Sequence, residues 1–454
     1  MDITQIVRTQ RDYFATGLTR NIEFRLARLR ELRDAIVRNA ALIDASLKAD
    51  LNKHPFETYI TETGIVLAEV NHAIRHLRRW ARPKRVKTPL ALFAASSVLY
   101  REPYGVALVM SPWNYPFQLA IDPLVGAIAG GNCCVVKPGS YAPETAKAIA
   151  KMIAETFDPA YVTTVLGGRV ENAALLDQKF DYIFFTGGTD VGRTVMAKAA
   201  VHLTPVTLEL GGKSPCIIAE GADLDLAAKR IAFGKIINAG QTCVAPDYLL
   251  IRDRDKAAFV GHFRDWVKAF LGDDPLQNEN YPKIVNAKHH ERLRGLMAGT
   301  TAVVGGTWND TKIGPTLLDG VSPEDPVMQE EIFGPLLPII PYGTIDEAIA
   351  FIEARERPLA LYLFTNDRKI EKKVLGAVRF GGGTINDTLM HFASTEIGVG
   401  GVGESGIGSY HGIRSFETFT HEKGVLRRAT WIDLEIRYHP YTKAKDAAIR
   451  RFLK

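Results

Sequence analysis

The chain has 454 residues, 46% of them hydrophobic and 24% charged, with four cysteines. That length buries more than one core without covalent staples, and the composition excludes a disordered, collagen-like or coiled-coil chain. The net charge of +5 is local: residues 422–454 hold nine basic and four acidic side chains, so the rest balances and a basic, nucleic-acid-binding body is not expected.

Residues 1–20 lack the apolar core of a signal peptide, and no run reaches the roughly 18–20 apolar residues that cross a bilayer. The best candidate, residues 89–110, is split by Arg101, Glu102 and Pro103. A reducing, cytoplasmic setting is expected. No cysteine or histidine spacing matches a zinc site, so neither a metal centre nor a disulfide framework is expected. The first hundred residues read as helical: Phe24, Leu26, Leu29, Leu32, Ile36 and Val37 recur at helical spacing, and a second such segment covers 58–80. From residue 106 short apolar runs (106–110, 133–136, 162–166, 182–185, 206–210) alternate with helical stretches such as 142–156 and 190–200. Such alternation predicts an α/β layered domain around a parallel sheet with both faces covered. A second series (216–218, 248–251, 336–340, 359–364) follows a boundary near 210–212. Residues 398–408 are glycine-rich, and the chain ends strand-like and then basic.

The pattern G-x-G-x-x-G occurs twice in overlap, from Gly398 and from Gly401. A dinucleotide fingerprint needs a buried strand before it and a helix after it, and neither is legible here, so this is read as a close-packed glycine loop. A better phosphate site is the turn after 182–185, where Thr186, Gly187 and Gly188 lead into a helix with Thr189 or Asp190 as its cap and Val191 in its first turn. Taken alone, the same residues also make an ordinary βα turn. Lys137 ends a buried run, at the strand edge where α/β folds bind ligands; a surface lysine is its plainer reading. Cys133, Cys134 and Cys216 lie in apolar strands, whereas Cys243 has small polar neighbours and is the candidate nucleophile. Glu209 interrupts an apolar run, where burial raises a carboxyl toward the range of a general base; pairing with a lysine is the alternative. Asn114, in an aromatic turn after 106–110, offers a neutral amide to an oxyanion, or simply forms the turn.

Together these segments resemble the aldehyde dehydrogenase superfamily, and its class 3 branch in particular. The resemblance rests on Pro112-Trp113-Asn114, Phe185-Thr186-Gly187, the run from Leu208 through Gly211-Gly212-Lys213, Gly240-Gln241-Thr242-Cys243 and Glu331-Ile332-Phe333-Gly334-Pro335. The class 3 marks are residues 408–412, 415–419 and 437–442. The similarity spans nearly the whole chain, in the family's order.

The resemblance implies a Rossmann-type cofactor domain (1–85 and 101–210), an α/β catalytic domain (211–397), a small oligomerisation strand arm (86–100 with 415–442) and a basic tail (443–454). It implies NAD(P)-dependent oxidation of medium- or long-chain aliphatic or aromatic aldehydes to acids. Cys243 would be the nucleophile and Asn114 the oxyanion donor, and Glu209 would activate water. Trp113, Lys137, Ser140, Thr186, Gly187, Gly188, Val191, Leu210, Glu331 and Phe333 would contact NAD or NADP. Tyr115 and Thr242 would line the aldehyde pocket, with residues near Glu62 and His391. Relatives commonly carry Glu where this chain has Ser140; losing that carboxylate removes repulsion of a 2′-phosphate, so NADP is expected to be accepted. A CoA-acylating dehydrogenase and a cysteine hydrolase without a redox step are the alternatives. Glu209 favours water over CoA, and no histidine base lies near Cys243 in sequence. A homodimer is expected, with no nucleic-acid partner and at most weak membrane-surface contact through the tail, where Ile449, Phe452 and Leu453 make a small apolar face.

Overall fold

The computed structural model describes residues 2–453, apart from the side chain of Phe452. Of the tail residues named above, Lys454 and the Phe452 side chain therefore lie outside the described residues. The helix Ile22–Arg38 buries Leu26, Leu29, Leu32 and Ile36, as their spacing predicts. Val37 departs from that stripe and is exposed, because the helix turns it past the buried face. The 58–80 segment starts with a wide π-type turn, Tyr59–Thr63, and continues as the helix Gly64–Trp80.

Strands β1 (Lys84–Val86) and β2 (Ala95–Pro103) begin a small sheet. Five buried strands follow: β3 (Val106–Met110), β4 (Cys133–Lys137), β5 (Val162–Thr164), β6 (Tyr182–Thr186) and β7 (Val206–Glu209). The second series comprises β8 (Pro215–Ile218), β9 (Tyr248–Arg252), β10 (Thr301–Val304), β11 (Thr316–Asp319), β12 (Leu336–Tyr342), β13 (Ala360–Phe364) and β14 (Gly382–Ile385). Short β15 (Gly406–Ile407) and long β16 (Thr420–Arg428) complete the set.

The first large sheet has the order β15-β7-β6-β3-β4-β5, the second β10-β11-β12-β9-β8-β13-β14, and the small one β1-β2-β16. All pairs among β3–β7 are parallel, which requires crossover connections; the helix Gln118–Gly130, buried at every position, is one of them. The sheet winds from β3 toward β5 in one direction and returns through β6 and β7 in the other. A crevice therefore opens beyond the carboxyl ends of β3 and β6, where such folds bind ligands.

Only five residues separate β7 from β8, and across them the chain passes from the first large sheet to the second. The glycine loop turns back onto the first sheet, where Gly406 pairs with Glu209. Its glycines are there for packing: a Cβ on Gly401 would lie 2.1 Å from the Ser405 carbonyl, and one on Gly400 2.2 Å from that of Gly408. No helix among the described residues is long and apolar enough to cross a membrane.

Candidate active site

The loop before Cys243 is bent by three successive left-handed residues, Asn238 (φ 49°), Ala239 (φ 51°) and Gly240 (φ 68°). Side chains are disfavoured there, so the surroundings must hold the bend. The Asn238 amide donates to Glu57 Oε1 (2.8 Å), and the Asn238 side chain donates to the carbonyls of Asn114 (2.8 Å) and Gln241 (3.0 Å). Asn114 Nδ2 also donates to Gln241 O at 3.0 Å, which brings the turn after β3 against the cysteine loop. Burial pushes the Cys243 thiol up to about 12, with the Glu331 and Glu209 charges adding to it; the amides of Cys243 and Val244 pull the other way. Burial also raises the other three thiols, which sit inside strands.

Cys243 stands where two cavities meet. The larger, about 830 Å³, is lined by all ten residues expected to contact a dinucleotide, together with Asn114. Glu209 lines neither cavity. Its carboxyl is buried, Oε1 has no partner among the described residues, and burial holds it well above the ordinary carboxylate range. Among the described residues no lysine pairs with it, so it is not an ion-paired strand residue there.

The helix Thr189–Ala200 begins differently from expectation. Its cap is Gly188, with no side-chain hydrogen bond, while Thr189 Oγ1 turns to the Glu404 carbonyl (3.4 Å). The first-turn amides are thus left open toward the cleft, which suits an anion. Gly187 is less open: its amide is taken by Glu209 O (3.0 Å), and a Cβ there would meet the Phe185 ring at 2.5 Å. Gly188 has free space around it. Lys137 is buried, donates to Pro138 O (2.9 Å), and has its ammonium lowered by desolvation. Glu331 is raised to about 8 by burial and then by Asp247, and its Oε1 is unpartnered. Phe333 meets Trp113 edge-on at 5.3 Å.

The cleft also contains groups that the sequence reading missed: Arg169, Asn172, Tyr141 and, from the helix Ala287–Leu296, Lys288, His289 and Arg292. Their cations, the uncapped helix start and the orphaned Thr186 Oγ1, Ser111 Oγ and Glu331 Oε1 fit a phosphorylated, hydroxyl-rich ligand. The polar stretch around Arg169 carried no periodicity that would have marked it.

The smaller cavity, about 310 Å³, is lined mainly by Ile60, Ile65, Phe233, Ile237, Leu389 and Phe392, with Tyr115 and Thr242 at its polar end beside Cys243. The Tyr115 hydroxyl and Thr242 Oγ1 are 2.7 Å apart. Neighbours of Glu62 and His391 (Thr61, Met390) line it, but these two side chains do not. Glu62 is locked in an ion pair with Lys53 (2.5 Å), and His391 approaches Thr384 Oγ1 (3.2 Å).

Residues 1–425 match the model of the aldehyde dehydrogenase family. The chain is 45% identical to 4,4'-diaponeurosporen-aldehyde dehydrogenase of Staphylococcus aureus, over 97% of each protein. It is 43% identical to the aldehyde dehydrogenase named dimeric NADP-preferring of Rattus norvegicus, over 93% of this chain and 94% of that one. Its fold superposes on a substrate-bound Staphylococcus aureus AldH with a TM-score of 0.98 and 44% identity, over the whole of both chains. The chain belongs to the aldehyde dehydrogenase family.

Proposed function

We propose that this dehydrogenase converts apolar aldehydes to carboxylic acids on Cys243, with NADP accepted alongside NAD. The carrying observation is that a polar cleft and an apolar cavity meet at that one thiol. An aldehyde entering along Ile65, Ile237 and Phe392 presents its carbonyl carbon to the sulfur. As the thiol adds and gives up its proton, the oxyanion of the thiohemiacetal is held by Asn114 Nδ2 and the Cys243 amide. A nicotinamide dinucleotide, when bound in the cleft, supplies the acceptor for the hydride that leaves this carbon. Glu209, raised by burial, is a strong base once it has given up its own proton; in that form it takes a proton from water, and that water cleaves the remaining thioester. Because Glu209 lines neither cavity, it reaches this water by turning toward Cys243. A buried carboxylate beside the thioester favours water over CoA as acceptor.

Lys137, Arg169 and the start of Thr189–Ala200 supply the anion-binding side, Trp113, Leu210 and Phe333 the walls, and Glu331 a ribose hydroxyl contact. Ser140 is exposed at the cleft, where a carboxylate would repel a 2′-phosphate. Similarity to the NADP-preferring rat enzyme supports the same preference. In this reading residues 101–210 and the N-terminal helices carry the coenzyme and 211–397 carry Cys243.

Absorbance at 340 nm tests the proposal, with an aldehyde series and both coenzymes and no CoA present. It should rise with each coenzyme, most for chains that fill the apolar cavity, and should be abolished in Cys243→Ser. Ser140→Glu should shift kcat/KM toward NAD. No rise without CoA, or undiminished activity in Cys243→Ser, overturns the mechanism; a strong NAD preference in the native enzyme overturns the Ser140 argument alone.

A further inference from the structure

Lys53 lies just past the helix Ala40–Leu51, whose capping residue Asn52 is left-handed (φ 58°) and turns the chain inward. The Asn52 side chain fastens that turn to the carbonyls of Glu279 (3.1 Å) and Tyr281 (2.9 Å). Lys53 is consequently 0% exposed. A buried ammonium has three protons to place and is strongly unfavourable unless all are used. Here one goes to Glu62 Oε1 at 2.5 Å and one to Asn114 O at 3.1 Å, and the nitrogen stands 4.0 Å from the centre of the Tyr115 ring.

Glu62 extends the grip: its Oε2 accepts from the amides of Phe117 (2.8 Å) and Gln118 (3.2 Å). One ion pair therefore holds the backbone of residues 114–118 from behind. From the front, the side chains of Asn114 and Tyr115 reach Gln241 O (3.0 Å) and Thr242 Oγ1 (2.7 Å), the two residues before Cys243. A packing role alone would not need charge, since apolar replacement of a buried pair is often neutral or stabilising. This pair aims its hydrogen bonds at the turn that carries Asn114.

We infer that Lys53, paired with Glu62, is a positioning residue for the reaction: it fixes the Asn114 amide and the Tyr115 hydroxyl against the Cys243 loop. The inference rests on the proposed oxyanion role of Asn114. Neither Lys53 nor Glu62 lines either cavity.

The test uses the full-length enzyme and compares native protein, Lys53→Met/Glu62→Gln, Asn114→Ala and the combination. The double variant removes the two paired charges together; the buried Glu57 carboxyl, already raised to about 7, loses the pull of Lys53 and the push of Glu62 at once. The double variant's kcat should fall about tenfold or more, the effect of a small misplacement. Its coenzyme Kd, read by fluorescence quenching, should stay within about twofold of native, because the coenzyme cleft does not include the pair. Asn114→Ala should lower kcat by about a hundredfold or more. Adding the pair substitution to it should cost less than the product of the two losses, because the pair acts in large part through Asn114. Unchanged kcat in the pair variant, or a loss that multiplies fully with that of Asn114→Ala, overturns the role of Lys53 and leaves the oxyanion reading standing. Native kcat in Asn114→Ala overturns the oxyanion reading, and this inference with it. Should the double variant fail to fold, Glu62→Asp keeps both charges but draws the ammonium away from the turn; it should lower kcat without changing coenzyme Kd, and unchanged kcat there counts equally against the inference.

Discussion

The Cys243 thiol, pushed up to about 12, is almost wholly protonated at neutral pH in the ligand-free protein. Burial is the main cause and the Glu331 charge comes next. The sign of a prediction follows. Because the thiol is raised, alkylation of the ligand-free enzyme by iodoacetamide should keep accelerating with pH past the range near 8.5 where an ordinary cysteine levels off. Glu331, raised to about 8, carries its charge mainly above that pH; there Glu331→Gln removes it, lowers the thiol and should speed the reaction. A plateau near the ordinary value, or slower alkylation in the variant, would count against this account. Mass spectrometry should find a single modified site, since Cys133, Cys134 and Cys216 are buried within strands.

Among the elements, the glycine loop is packed too closely against backbone to accept an added methyl group. Gly406 has φ 152°, and a Cβ there would lie 2.5 Å from Leu208 O and 3.1 Å from the Gly401 amide. These neighbours are backbone and cannot swing aside. Gly406→Ala should therefore cost about 1–3 kcal/mol and lower the thermal midpoint. Because Gly406 pairs with Glu209, thioester hydrolysis should slow more than thioester formation, as a pre-steady-state burst would report. Native stability and kinetics in this variant would refute both points. The same loop shows what sequence conveys and what it withholds. Its repeated glycines imitate a phosphate motif, and only the missing strand and helix around them reveal a packing role. The buried strands β3 to β7 were legible because unbroken apolar runs have few other uses. Strands β10, β11 and β14 were not: each holds only four residues of mixed polarity, β10 and β14 lie at the sheet edges, and β14 opens with two glycines. Glu209 was legible as a carboxyl in an apolar run, Asn114 as an amide in an aromatic turn, and Cys243 as the cysteine with small polar neighbours where the others have apolar ones. Lys53 was not, since its partners at 62 and 114 become neighbours only on folding, and in sequence it reads as one more charge after a helix.

At the scale of the whole molecule, the small sheet is incomplete. The nine residues of β16 pair with β2 along one edge only, and seven of them, Val425 and Leu426 included, are exposed. A long open edge with apolar side chains is a template for association. A second copy of the chain pairing along this edge would cover it. Sedimentation should give twice the chain mass, and Val425→Asp/Leu426→Asp should shift the protein toward monomer; a native monomer would remove the arm's role. The junction at Cys243 has a consequence for inhibition. The two cavities differ in character and share a boundary at one sulfur, so a charged molecule and an oily one have separate doorways. An oily compound too bulky to react would then compete with aldehyde while leaving the other doorway open, and its potency would not fall as coenzyme is raised. On the proposed roles of the two cavities, the enzyme would be blocked from either side independently, each side admitting a different chemistry of inhibitor.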